Sequence, residues 1–157
     1  MSTNETISPA IVDALYEEAL QLAEETRTVF ERANSAFPYD DSDSDSTLRM
    51  ALSCEAMRAT TRLMHALAWL LNHRAYFAGE MSELQLRRHG RLPPPQPDSN
   101  PEQLLLIDPV TRNLISRTIA LFERVARLDR AWNDIVEDER QAIRQLRDRL
   151  GQAFPAI

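Results

Sequence analysis

At 157 residues the chain is long enough for one domain with its own core, and 43% hydrophobic against 27% charged residues is an ordinary globular balance. The formal charge is −6 and all 18 basic residues are arginine, which excludes lysine Schiff bases and the phosphate-binding lysine of a P-loop and argues against direct nucleic-acid binding. A lone cysteine, Cys54, permits no internal disulfide; no leader pattern opens the chain, and its longest apolar run, Leu63 to Leu71 broken by His65, is far short of the roughly 20 residues a membrane span needs, so a cytoplasmic location with no membrane contact is expected.

Only three glycines and an abundance of Leu, Ala, Glu and Arg point to helices. Ser8-Pro9 reads as an N-cap followed by proline at the first helical position. Ile11, Leu15, Leu22, Val29 and Phe30 then recur at helical spacing, predicting a first helix over about 9–33. Phe37-Pro38-Tyr39 ends it, and the polar run Asp40 to Ser46 reads as an exposed loop. Its alternating acids imitate a calcium loop, but Ser46 stands where the turn glycine belongs and Leu52 where the bidentate glutamate belongs.

A second helix is expected over about 47–78, closed by Gly79. Leu52, Ala56, Ala59, Leu63, Ala66, Leu67 and Leu70 share one face, while Met57, Met64, Ala68, Leu71 and Ala75 lie elsewhere. A helix apolar nearly all round is covered from several sides, which makes this one the expected centre of a homodimer. Ser82-Glu83-Leu84-Gln85 has the capping-box pattern and predicts a short helix over about 83–88. Gly90 and five prolines then make 89–102 a stiff linker, read here as a spacer along the bundle rather than a polyproline ligand. Asp108-Pro109 repeats the cap-then-proline signal and starts a third long helix over about 109–132. Ile135, Ile143, Leu146, Leu150 and Phe154 suggest a further, more exposed helix over about 138–152, with a break near Asn133 left open. The expected fold is all-α: a single three-helix bundle of long antiparallel helices with short extra helices.

No catalytic constellation emerges. Cys54 and His65 are three helical turns apart, about 16 Å, too far for a dyad. His-Glu-x-x-His, Cys-x-x-Cys, Glu-x-x-His and glycine-rich phosphate loops are all absent from the sequence. No enzyme activity, metal or other cofactor is expected. What stands out is a seam on helix two in which Glu55, Arg58, Arg62, His65, Trp69, Asn72 and Tyr76 follow at alternating steps of three and four. One reading makes it a set of intrahelical pairs with packed aromatics. The other makes it a protein-binding groove or the device that fixes dimer register, since Trp, Tyr and Arg concentrate binding energy.

The block Ser53-Cys54-Glu55, Thr60 to His65, Ala68-Trp69-Leu70-Leu71, Arg74-Ala75 and Ala78-Gly79-Glu80 resembles the bacterial family of the regulator of CtrA degradation, RcdA. Leu15-Tyr16, the proline-rich linker, Arg127-Leu128-Asp129 and the final Leu-rich helix are similar in outline. The resemblance implies a dimeric three-helix bundle acting as a non-enzymatic adaptor, one that helps present cargo such as the response regulator CtrA and other transcription factors to ClpX of the ClpXP protease. Glu55, Thr61, Arg62, His65, Trp69, Arg74 and Glu80 are the matching positions it marks. The alternative is a structural or signalling dimer that acts without a protease.

Overall fold

A computed structural model describes residues 7–36 and 43–154, and all regular structure among them is helical. Five helices follow one another: α1 Pro9–Ser35, α2 Asp43–Phe77, α3 Glu83–His89, α4 Pro101–Leu106 and α5 Pro109–Ala153. The caps predicted at Ser8, Ser82 and Asp108 form, whereas the one expected at Asp45 or Ser46 does not, because both residues lie inside α2. Ser8 accepts from Ile11 N at 3.3 Å, Ser82 and Gln85 complete a reciprocal capping box, and Asp108 accepts from Thr111 N at 3.0 Å. The Thr111 hydroxyl donates to the same carboxyl at 2.6 Å, and although partial burial, the largest single influence, pulls upward, the hydrogen bonds together hold Asp108 below its usual range.

Three boundaries differ from the sequence expectation. Helix α2 starts at Asp43, so residues 43–46 are helix rather than loop; Asp43 and Asp45 lie in its first turn, where the helix dipole favours acids. The rest of the expected acidic loop and the Phe37-Pro38-Tyr39 stop lie outside the described residues. Inside the expected linker, Asn100 caps and Pro101 starts the one-and-a-half-turn α4, with Asn100 Oδ1 accepting from Glu102 N at 2.9 Å. The last two expected helices are one: α5 runs unbroken past Asn133, which donates to Asp129 at 3.3 Å one turn back, and no glycine or proline interrupts 110–150.

Ion pairs give the helix directions. Arg74 near the end of α2 meets Asp13 near the start of α1 at 2.8 Å, while Arg124 and Arg117 of α5 meet Glu18 and Glu25 of α1 in reverse order. Helix α1 is therefore antiparallel to both others, and α2 and α5 run the same way. Two parallel neighbours need a connection that travels the length of the bundle. Residues 90–100 supply it, passing back along the groove between α2 and α5: His89 O accepts from Asn72, Leu92 N donates to Asp129, and Ser99 donates to Glu55. The core lies among the three long helices, with Val12, Leu15, Ala19 and Leu22 facing Ala59, Leu63, Ala66 and Leu70 on one side and Leu114, Ile115, Leu121 and Val125 on the other.

Candidate protein-binding site

Helix α2 touches all four other helices, so most of its circumference is covered within the chain. The seam singled out in the sequence faces inward. Glu55 is fully buried, its Oε1 accepting from Arg58 at 2.7 Å and its Oε2 from Ser99 at 2.9 Å. Two turns on, Arg62 is 5% exposed and lines a cavity of about 100 Å³ with Pro95, Gln96, Asp98 and Ser99. Burial lowers its pKa, opposed by Glu55, reinforced by Arg58 and opposed again by Asp98; one terminal nitrogen has no partner among the described residues. Trp69 is buried and donates from Nε1 to Asp129 Oδ1 at 2.8 Å. Asn72 is half-buried against His89, and Tyr76 packs edge-on to Trp132 and Phe77. His65 is half-buried with Nδ1 enclosed.

The proline-rich segment thus covers the middle of the seam. Glu55 and Trp69 tie α2 to that segment and to α5 through hydrogen bonds, while Arg62 lies against the same segment with one terminal nitrogen unpartnered among the described residues.

Other marked positions sit differently. Thr61 is half-buried and bonds back to Met57 O at 2.8 Å. Arg74 is exposed, paired with Asp13, and its guanidinium lies 4.3 Å from the Tyr16 ring centre. Glu80 is exposed just beyond Gly79, whose φ of 78° closes α2 in a left-handed turn. Arg74, Glu80 and Asn72 share an open depression of about 690 Å³ with Leu71 and Phe77 at this end of the bundle. His73, outside the seam, is 1% exposed and stacks on Trp69 at 3.6 Å between ring centres. Its Nδ1 lies 3.0 Å from Trp69 O, leaving Nε2 buried without a partner; burial lowers its pKa, opposed by that hydrogen bond and by Asp129.

The outward face of α2 carries the apolar residues that the sequence placed off its main face without grouping them into one row. Met50, Met57, Met64 and Leu71 recur every seven residues and are 47–72% exposed. Between them lie Ser53, Thr60, Thr61 and Ala68, and no charged side chain interrupts the row from 50 to 71. Its signal was the strict seven-residue step, the spacing of a helix that packs against another helix.

Among the described residues, no group of three or more His, Cys, Asp or Glu is placed to hold a metal ion, and no helix is long and apolar enough to cross a membrane. The arrangement offers apolar and polar contact surface on a rigid helix. No curated protein and no solved structure matches the chain. One family profile does, over residues 3–154, and the chain therefore belongs to the family described as protein of unknown function, DUF1465.

Proposed function

We propose that this protein is a homodimeric, non-enzymatic adaptor that binds regulatory proteins and assists their delivery to the ClpXP protease, with response regulators and transcription factors such as CtrA as cargo. The observation that carries the protein-binding part is the Met50, Met57, Met64 and Leu71 row, an uncharged strip without cover among the described residues, on the helix around which the bundle is built. The row is also self-complementary. In an antiparallel pair of α2 helices with a twofold axis between Thr60 and Thr61, Met57 faces Met64 of the second copy, Met50 faces Leu71, and small residues at 53, 60, 61 and 68 let the backbones approach. Arg74 then falls within a turn of the other copy's Asp43, and the helix dipoles oppose favourably. The protease and the cargo class are supported by the resemblance of residues 53–80 to the RcdA family.

Two measurements test the reading. Equilibrium sedimentation should give twice the chain mass, and Met57→Asp with Met64→Asp should give single chains of unchanged helicity; a wild-type protein monomeric at tens of micromolar refutes the dimer. A degradation assay with purified ClpXP and candidate response regulators should show cargo half-life shortened by this chain. Unchanged half-lives for every cargo refute the adaptor role and favour the interaction dimer that acts without a protease.

A further inference from the structure

Beyond Val136 every described residue of α5 is exposed. The helix nonetheless continues for 17 residues, about 26 Å, to Ala153. On ideal helical geometry Ile143, Leu146, Leu150 and Phe154 lie within about 80° of one another, on the face that upstream carries Leu114, Thr118, Leu121 and Val125 into the core. These four are 52–78% exposed. The face that is core inside the bundle thus continues outside it with nothing opposite among the described residues. An isolated helical stretch of this length is marginal in water.

Its edges are basic in a chain that is acidic overall. Residues 140–154 hold four arginines and one acid, Asp148, a local charge of +3 against −6 for the whole chain. Arg140 and Arg147 line one edge of the apolar row and Arg149 lies beside the other, while Asp148 turns to the back; Glu139 is the one acid in the row, at its bundle end. Arg144 pairs with Glu137 at 2.9 Å, and no ion pair holds Arg140, Arg147 or Arg149 among the described residues.

We infer that the projecting half of α5 is a docking helix for an amphipathic helical segment with acidic flanks on another protein. Such a segment lays its apolar residues along Ile143, Leu146 and Leu150 and sets carboxylates against Arg140, Arg147 and Arg149, where arginine pairs bidentately. A second copy of the same helix fits poorly, because neither parallel nor antiparallel self-pairing brings opposite charges together at the edges. A lipid surface fits poorly too, since the row is narrower than the broad apolar face with which an interfacial helix enters a bilayer. The inference deepens the protein-binding reading above and rests on it for the class of partner. It requires neither the α2 dimer nor the protease.

The test uses the full chain and two synthetic helical peptides with identical leucine rows, one flanked by glutamate and one by arginine, read by fluorescence anisotropy. The acidic peptide should bind at least tenfold more tightly than the basic one, with the difference shrinking as salt rises. Ile143→Asp with Leu150→Asp should abolish that binding, and Arg140→Glu, Arg147→Glu and Arg149→Glu together should reverse the preference. Because these side chains are exposed and lie outside the core cluster, helicity of the core and dimer mass serve as controls. Equal affinity for the two peptides, no binding at millimolar peptide, or binding that survives Ile143→Asp with Leu150→Asp overturns the inference. So does tail-dependent binding to anionic vesicles without peptide preference, or self-association that the same pair of substitutions removes. Since no protease is present, failure here is distinct from failure of the degradation assay.

Discussion

Replacing Glu55 by glutamine separates the charge of a fully buried carboxylate from its shape. Glutamine keeps the volume and can keep both contacts, its carbonyl accepting from Arg58 and its amide donating to Ser99, whose hydroxyl can turn to accept. What disappears is the counter-charge for Arg58 and for Arg62, which is 5% exposed and already short of one partner. Removing one member of a buried ion pair costs about 3–5 kcal/mol. Here solvent reaches a quarter of the Arg58 side chain and Asp98 still faces Arg62, so about 2–3 kcal/mol is expected. For a chain of this size that is a fall in Tm of about 4–12 °C. Urea denaturation followed by far-UV circular dichroism, at one fixed chain concentration so that association does not enter the comparison, measures it directly. Adding Arg62→Leu should recover much of the loss, because the stranded charge is then gone too. A loss below about 0.5 kcal/mol, the scale of an exposed pair, or no recovery in the double variant, refutes the assignment of this network as the tie between α2 and the proline-rich segment.

The pH dependence of stability should carry the mark of His73. Its pKa is lowered by folding, so below the unfolded value of 6.5 the unfolded chain binds the proton first; the stabilisation is complete above that pH and drains away as pH falls toward the folded value. His73→Phe keeps an aromatic ring stacked on Trp69 and should flatten the stability profile on the acid side of 6.5, as read from urea midpoints; an unchanged slope there places the titration elsewhere. Gly79→Ala should cost about 1 kcal/mol through backbone conformation alone, since φ is 78° and an added Cβ meets nothing within 4 Å. A thermal shift indistinguishable from zero contradicts that turn.

The starts of α1, α3 and α5 were legible because they are written in side chains that satisfy free backbone groups: Ser8-Pro9, the Ser82 box and Asp108-Pro109 all formed as read. What misled were signals of composition rather than of capping. The acidic residues at 43 and 45 looked like loop because Asp and Ser compete with helix locally, yet at a helix start the dipole makes the same acids favourable. The prolines from 93 to 101 masked α4, although Asn100-Pro101 is the same cap-and-proline pair that marked α1 and α5. The charged stretch after Trp132 left continuation or a break near Asn133 open; the helix continues, since charged residues form helix readily where no glycine or proline intervenes.

The candidate site shows a deeper limit of periodicity. A three-and-four step identifies residues that share a face of a helix and says nothing about which way that face points. On most helices polarity decides, but α2 is apolar nearly all round, so polarity was divided between its faces by what happened to lie opposite. The crossover segment brings Ser99, the His89 carbonyl and the backbone N–H of Leu92 to one groove, and α5 brings Asp129. Polar side chains of α2 turned toward that groove find partners there, and Glu55, Trp69 and Asn72 do. Methionines turned the same way would have left those groups unsatisfied, at about 1–3 kcal/mol for each buried one. Their place on the outer face is therefore the other half of the same constraint, and it leaves a charge-free row from Met50 to Leu71 in water. A row so placed is explained by intramolecular packing only as a remainder; as contact surface for another helix, its seven-residue step has a direct physical cause.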